Sequence, residues 1–125
     1  MRLSRILIMA MSVALVTGAP MLQAFAGSGD VIPVSTDKTS TYTAIDLVRK
    51  PAGVVEVITE RGGDKGHFYT IRDCDCPTSK YRILGQGKTM GEARRRYPSD
   101  GLTVLVEGSV SYDICTYACA SKPRQ

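Results

Sequence analysis

Four cysteines have the most distinctive spacing of the chemically reactive residues in this 125-residue sequence. Cys74 and Cys76 form a C-x-C pair, and Cys115 and Cys119 form a C-x-x-x-C pair. Thiolates can hold zinc or copper, but zinc sites usually use C-x-x-C spacing, and thiols in an oxidising compartment form disulfides. We therefore expect two structural disulfides, with a thiol or metal-binding protein as the alternative use of the same residues.

The two cysteine pairs allow three connectivities. Cys74 and Cys76 on an extended segment point to the same face, and a bond between them would close a very tight ring. The nested pattern, Cys74–Cys119 with Cys76–Cys115, suits two antiparallel segments and is the one we favour. The crossed pattern, Cys74–Cys115 with Cys76–Cys119, suits other geometries. Either pattern stabilises the fold by about 4 kcal/mol per bridge in the chain-entropy model.

The single histidine, His67, excludes mechanisms that need two imidazoles. Glu56 and Glu60 lie on one strand of a predicted hairpin, and His67 and Arg72 lie on the other. A carboxylate, an imidazole and a guanidinium can cleave phosphodiesters, as base, acid and stabiliser of the pentacovalent phosphate. Because charged residues are ordinary on exposed strand faces, Glu56, His67 and Arg72 are weak catalytic candidates. A small secreted hydrolase, specifically a ribonuclease, is therefore an alternative function.

Two further motifs indicate structure and not ligand binding. The segment 85–89, Gly-Gln-Gly-Lys-Thr, resembles the end of a phosphate-binding loop, but Arg82 stands where the motif needs its first glycine. The carboxylates of Asp73 and Asp75 alternate with the first cysteine pair and are expected on the opposite face of the strand, as a solvated acidic edge. We expect no cofactor and no metal.

The beginning of the chain is typical of a secretory signal peptide. Arg2 and Arg5 precede an apolar run over 6–16, and Ala24-Phe25-Ala26 provides an A-x-A cleavage site. The apolar run is shorter than the roughly 20 residues of a membrane span, so we expect no membrane anchor after cleavage. The sequence predicts export to the periplasm, with secretion beyond the cell as the alternative.

The basic net charge derives partly from this leader. Removing Arg2 and Arg5 lowers the formal net charge from +4 to +2. Nucleic-acid binding usually relies on a clustered basic surface, so we expect no nucleic-acid partner.

The remaining sequence predicts one domain. A flexible arm over 27–41 adds one short edge strand, a compact β-rich domain covers 42–120, and 121–125 form a polar tail. Segments 54–59 and 67–72 are rich in β-branched residues and are joined by a glycine turn, which predicts the hairpin. Segment 43–48 has capping-box spacing and β-branched residues together, so helix and strand both stay open.

The second half of the domain combines one helix with further strands. Thr89 and Glu92 form a capping box that predicts a helix over 90–97. Alternating apolar residues predict strands over 102–106 and 110–114. The predicted fold is a small, mostly antiparallel β domain (a sandwich, a partly open barrel or a single sheet) with one short helix near residues 90–97, stapled by two disulfides.

No constellation in the sequence specifies a reaction. We therefore expect a non-enzymatic, exported, disulfide-stabilised protein-interaction module, acting as an accessory, inhibitor or assembly factor in the cell envelope. Basic and tyrosine side chains suit such contacts. The expected interaction surface consists of Arg94, Arg95, Arg96, Tyr97, Tyr112 and Tyr117.

Overall fold

The computed structural model describes residues 29–98 and 101–122. The predicted signal peptide, residues 1–26, lies outside the described residues, as does most of the predicted tail. Within the described part, six strands form one antiparallel sheet in which each strand pairs with the next along the chain. They are β1 (Asp30–Ile32), β2 (Ser40–Arg49), β3 (Val54–Gly63), β4 (Phe68–Asp75), β5 (Lys80–Gly87) and β6 (Thr103–Val104). The predicted β-rich fold is confirmed, as a single sheet.

Period-two alternation explains the central strands. Along β3, Val55, Val57 and Thr59 are buried on one face, while Glu56 and Ile58 lie on the other. The predicted hairpin is confirmed as β3 and β4, with Gly66 N–H donating to the Gly63 carbonyl in the turn. The segment that favoured helix and strand equally is part of β2, which ends before a single 3₁₀ turn at Pro51–Gly53.

An eleven-residue helix, α2 (Val110–Ala120), covers one face of the sheet. We call this face the covered face. It buries the main core, in which Ile114 and Ala118 of the helix pack on the sheet. The sheet contributes Ile32, Tyr42, Ala44, Leu47, Val55, Val57 and Cys74 to this core.

The strand predicted over 110–114 is wrong, because these residues begin α2. The Ser109 hydroxyl accepts a hydrogen bond from Tyr112 N–H and caps the helix at its first turn. Ser111, Ile114 and Ala118 recur at helical spacing and form the buried side. Burial of that side against the sheet outweighs the strand preference of the β-branched residues.

The two disulfides are confirmed, but the favoured nested connectivity is wrong. Cys74 bonds to Cys115 and Cys76 bonds to Cys119. The second pair lies on a helix, where four residues advance about 6 Å. Two residues of a strand advance about 6.6 Å, so a C-x-C strand pair matches a C-x-x-x-C helix pair when both run the same way. The crossed pattern follows from that match.

A short helix, α1 (Met90–Arg94), lies on the other face and confirms the predicted helix in a shorter form. Glu92 N–H donates to Thr89 Oγ1, and the Glu92 carboxylate accepts from Lys88 N–H, which completes the capping box. The helix ends early because Arg96 adopts a left-handed backbone with φ of 50°.

Glycines in β5 allow α1 to lie directly on the sheet. A Cβ at Gly85 would stand 2.0 Å from the Ala93 carbonyl oxygen, and one at Gly87 would stand 2.3 Å from Glu92 Cβ. The glycine-rich segment that resembles a phosphate loop is therefore the contact surface for a helix. Ala93, Ile71 and Leu84 form a small second core there.

Candidate functional site

The sheet face opposite α2, which we call the open face, carries most of the charged side chains whose role the fold does not explain. It presents the side chains of Val48, Glu56, Ile58, Ile71 and Asp73, and α1 covers only one part of it. The covered face is filled by the main core, whereas the open face has ion pairs, two cavities and exposed apolar residues. The open face therefore has accessible surface that combines charged and apolar side chains.

A chain of ion pairs crosses the open face. Glu56 and Asp73 are directly opposite each other on β3 and β4, so their like charges need cations nearby. Lys50 Nζ lies 2.9 Å and 3.0 Å from the two Asp73 oxygens and 3.9 Å from Glu56 Oε2. Arg96 Nη2 lies 2.5 Å from Glu56 Oε1, and Arg82 Nη2 lies 3.5 Å from Asp73 Oδ2. The two carboxylates are thereby compensated.

Asp73 is less exposed than the sequence predicts, where it was expected in a solvated acidic edge. It does project to the face opposite Cys74, as the strand alternation predicts, but only 4% of its surface is exposed. A nearly buried carboxylate is retained when cations and hydrogen bonds compensate its lost hydration, and Lys50 and Arg82 provide that compensation.

The larger cavity of the open face has an apolar floor. Its volume is about 410 Å³, and Val48, Ile58 and Ile71 provide the floor from three neighbouring strands. Charged groups form its walls: Asp46 and Glu56 from the sheet, and Arg94 and Arg96 from the end of α1. This combination of apolar surface with a few polar groups is typical of small-molecule sites.

A second cavity lies nearer the β6 edge. It measures about 250 Å³ and is lined by Asp73 and Arg82 of the ion-pair chain, together with Leu102. Leu102 begins a run of exposed apolar side chains, which we call the β6 strip: Leu102, Val104 and Val106, exposed by 47%, 60% and 65%. Exposed apolar side chains grouped in this way mark interaction sites more often than isolated ones do.

β6 is a short strand at one edge of the sheet. The strand predicted over 102–106 is confirmed only at Thr103 and Val104, which pair with Tyr81 and Lys80. Leu105 N–H donates to the Ser79 carbonyl, so alternate residues bond to the sheet and the backbone of Val104 faces away from it. An edge of this kind offers hydrogen-bonding groups to another chain.

The weak catalytic candidates do not converge. Glu56 lies on the open face, paired with Arg96, whereas Arg72 lies on the covered face, where it pairs across the sheet with Val57. His67 is in the turn region, and its Nδ1 lies 2.5 Å from Glu60 Oε1. The alternation of β3 and β4 separates the three groups, so the geometry does not support the ribonuclease arrangement.

Arg72 has a structural environment. It is 7% exposed, its Nε donates to Ser111 Oγ at 3.3 Å, and its Nη1 donates to Thr59 Oγ1 at 3.1 Å. Burial lowers the pKa of Arg72 to about 10, while Tyr81 and Tyr42 oppose the shift. The guanidinium joins the sheet to α2 through hydroxyl groups.

His67 borders a different, shallow hollow. The hollow measures about 530 Å³, and Arg61, Lys65 and Lys88 are its other charged residues. Arg61 also stacks over Phe68, with its guanidinium carbon 5.2 Å from the ring centre. His67 and its partner Glu60 therefore lie beside a basic hollow, away from Glu56 and Arg72.

The expected interaction surface is divided between the two faces. Arg94, Arg95, Arg96 and Tyr97 lie at and just beyond the end of α1, on the open face. Tyr112 and Tyr117 belong to α2, and the Tyr117 hydroxyl donates to Asp30 Oδ2 at 2.8 Å. Two elements on opposite faces cannot form one contact surface for a compact partner. Tyr97, which is 82% exposed, is the most accessible tyrosine of the set.

Sequence analysis missed the β6 strip as a site. Its alternating pattern is present in the sequence, but alternation normally indicates one buried face. Here Leu105 packs against the main core, and the three residues that alternate with it are exposed. Four of the five residues in 102–106 are apolar, more than one buried face of a strand needs, and this excess was the available signal.

The four cysteines form no thiolate site, because the structure contains both disulfides and has no free cysteine among the described residues. A thiol or metal function of these residues would need reduction. Two disulfides in a small β domain are typical of an oxidising, exported environment.

The fold and its covalent links define a class: a small disulfide-bonded β domain with one open sheet and a helix at its C-terminal end. Comparison with protein-family models, curated proteins and solved structures finds no significant match to the chain. Within residues 29–98 and 101–122, no helix is long and apolar enough to cross a membrane.

Proposed function

We propose that this protein is an exported, non-enzymatic interaction module that binds a partner protein through the β6 edge of its sheet. The observation that supports the proposal is the exposure of the β6 strip at a strand edge. Three large apolar side chains exposed within one short segment leave apolar surface in water that contact with a partner would remove.

The partner segment is an extended strand of another protein. The backbone of Val104 faces away from the sheet, and Leu102 and Val104 alternate with residues that contact the domain. An added strand gains main-chain hydrogen bonds from the edge, while its side chains contact the apolar strip. The edge is presented to such a segment by the pairing of β6 with β5, which leaves the outer side of β6 without a neighbouring strand in the described sheet.

Export is part of this proposal. The predicted signal peptide, with cleavage after Ala26, and the two disulfides both favour an oxidising compartment such as the periplasm. A small domain with one exposed apolar strand edge fits an accessory, inhibitory or assembly role in the cell envelope. The alternative functions need features that the described residues lack: a converged acid–base set for the hydrolase, and reduced cysteines for the thiol or metal protein.

Site-specific photocrosslinking in an exporting host tests the proposal. A photoreactive amino acid at Val104 is expected to give one discrete adduct with another protein, identified by mass spectrometry. Val31 is the matched control, because it is 64% exposed and lies on β1, the opposite edge of the sheet. Leu102→Lys should reduce the adduct at Val104 severalfold, because it places a charge in the strip.

The same adduct at Val31 and Val104 would contradict the proposal, since contact would then not depend on the β6 edge. An adduct consisting only of two copies of this chain would also contradict it, because the partner would be the protein itself.

A further inference from the structure

The basic hollow lies at the hairpin end of the sheet, away from the β6 strip. Its ionisable residues come from β3, from the turn region and from the end of β5: Arg61, Lys65, His67 and Lys88. β6 pairs with the first two residues of β5, whereas the hollow begins beyond the last one, about 20 Å further along the strand. A ligand in the hollow and a strand at the β6 edge would therefore not compete.

Every ionisable side chain that lines the hollow is basic. Among the described residues, the lining has three permanent cations, Arg61, Lys65 and Lys88, with one imidazole and no Asp or Glu. None of these three cations forms an ion pair with a residue in 29–98 or 101–122. A concave surface lined by charges of one sign concentrates its electrostatic potential and attracts ions of the opposite sign.

The carboxylates closest to these cations in sequence have other partners or lie outside the lining. Glu60 Oε1 is 2.5 Å from His67 Nδ1, and the Glu92 carboxylate accepts a hydrogen bond from the Lys88 backbone N–H at 2.8 Å. Asp64 is exposed in the hairpin turn and does not line the hollow. An anion from outside the chain would therefore supply the counter-charge that the lining lacks.

The hairpin fixes the position of Arg61. This half-buried residue is directly opposite Phe68 on the neighbouring strand, and its guanidinium carbon lies 5.2 Å from the ring centre. A guanidinium stacked on a ring keeps the N–H groups at its edge available and holds them in one plane. Two such N–H groups can bind two oxygens of one phosphate. Gly66 keeps the wall open beside them, because a Cβ there would meet nothing within 4 Å.

We propose that the basic hollow binds a phosphate group of an anionic ligand. Arg61 donates paired hydrogen bonds to two phosphate oxygens, and the exposed Lys65 and Lys88 contribute positive charge from the turn and from β5. A phosphate suits this lining better than a carboxylate does, because it has more acceptor oxygens to share among three cations. Two sources carry the group: the headgroup of an anionic phospholipid and a soluble phosphate ester.

Amide chemical shifts of the disulfide-bonded protein, measured during titration, test the site directly. Glycerol phosphate is the probe, and glycerate, which has a carboxylate in place of the phosphate, is the control at equal ionic strength. We expect saturable shifts at Lys65, Gly66 and Lys88 with glycerol phosphate, and severalfold weaker binding of glycerate.

Cosedimentation with vesicles distinguishes the two sources. Binding to phosphatidylcholine vesicles that contain phosphatidylglycerol, but not to pure phosphatidylcholine, would identify the lipid headgroup, and glycerol phosphate should reverse it. Saturable shifts with glycerol phosphate but no cosedimentation would identify a soluble ester.

Two lysines at opposite ends of β5 give a matched pair of variants. Lys88→Gln should weaken glycerol phosphate binding about fivefold, because it removes one charge-assisted interaction while keeping the backbone N–H that bonds to Glu92. Lys80→Gln removes the same charge at the far end of the strand and should leave the affinity unchanged. Arg61→Lys keeps the charge but loses the paired donors, and should weaken binding about threefold.

The proposal is overturned if neither glycerol phosphate nor the phosphatidylglycerol vesicles bind, or if glycerate binds as tightly as glycerol phosphate. Equal weakening by Lys80→Gln and Lys88→Gln would also overturn it, because attraction to the net charge of the protein would then explain the binding. Leu102→Lys changes only the β6 edge, so the adduct at Val104 and the phosphate titration test the two proposals separately.

Discussion

The two faces of this sheet are built from the same strands but are stabilised in different ways. The covered face buries apolar side chains under α2 and is locked by two disulfides. The open face carries compensated charges, two cavities and a small core under α1. The contrast shows that strand alternation divides the side chains between a core beneath α2 and a face that carries ion pairs and cavities.

Charge is handled differently on the two faces as well. On the open face, the half-buried Glu56 and the buried Asp73 each have a lysine and an arginine partner. On the covered face, the Arg72 guanidinium donates hydrogen bonds to the hydroxyls of Thr59 and Ser111. Burial of the Arg72 guanidinium therefore costs hydration free energy, which the ion pairs of the open face recover for its carboxylates. The two disulfides offset this cost on the covered face.

The largest expected effect is loss of the inner disulfide. Replacing Cys74 and Cys115 with alanine should lower the free energy of unfolding by about 4 kcal/mol or more, because the bond joins positions 41 residues apart and both cysteines are buried. Replacing Cys76 and Cys119, which are 43 residues apart, removes a similar entropic contribution. Urea unfolding of both double variants measures the difference.

The outer disulfide is the more exposed of the two, so its loss should cost about 1 kcal/mol less than loss of the inner one. An equal or greater loss for the outer pair would show that burial on the covered face adds nothing to the covalent link.

An intermediate effect is expected where α1 contacts the open face. Gly85→Ala places a Cβ 2.0 Å from the Ala93 carbonyl oxygen and should lower the free energy of unfolding by about 2–3 kcal/mol as α1 shifts. Gly91→Ala is the control, because its Cβ would meet nothing closer than Thr89 Oγ1 at 3.8 Å. That variant should stabilise the protein by about 0.5–1 kcal/mol through helix propensity. Loss of stability in both variants would contradict a specific helix–strand contact.

The smallest effect concerns the buried cation. Arg72→Met should change the free energy of unfolding by less than about 1 kcal/mol, because the lost hydrogen bonds are offset by the removal of a buried charge. Thr59→Val should cost about 1–2 kcal/mol, because it leaves the guanidinium in place with one acceptor fewer. Thermal and urea unfolding compare the two variants. If Arg72→Met destabilised the protein more than Thr59→Val, the charge itself would be needed on the covered face.

Short sequence patterns correctly predicted the elements that are determined by residues close together in the chain. The hairpin of β3 and β4 and the capping box of α1 depend on neighbouring residues and are confirmed. The 110–114 segment was assigned wrongly because its β-branched alternation is a local signal, whereas its helix is stabilised by distant contacts with the sheet. The i, i+4 spacing of Cys115 and Cys119 was the local feature that indicated a helix.

The candidate site was less predictable than the fold. Arg96 lies 40 residues from Glu56 along the chain, and the contact of α1 with Gly85 brings Arg94 and Arg96 over the sheet. Sequence alone indicated a basic cluster but not which carboxylates face it. Exposure of Leu102 and Val104 depends likewise on where β6 joins the sheet edge, which no local pattern specifies.

The position of α2 in the chain has a consequence for biogenesis. The covering helix follows all six strands, so the apolar face of the sheet stays bare during synthesis until residues 110–120 have emerged. Its contacts span most of the domain's length, and contacts so distant in sequence form slowly. A nascent chain that exposes such a surface is vulnerable to aggregation until the helix covers it. Because Cys115 and Cys119 lie on α2, neither disulfide can form until this last helix has been synthesised.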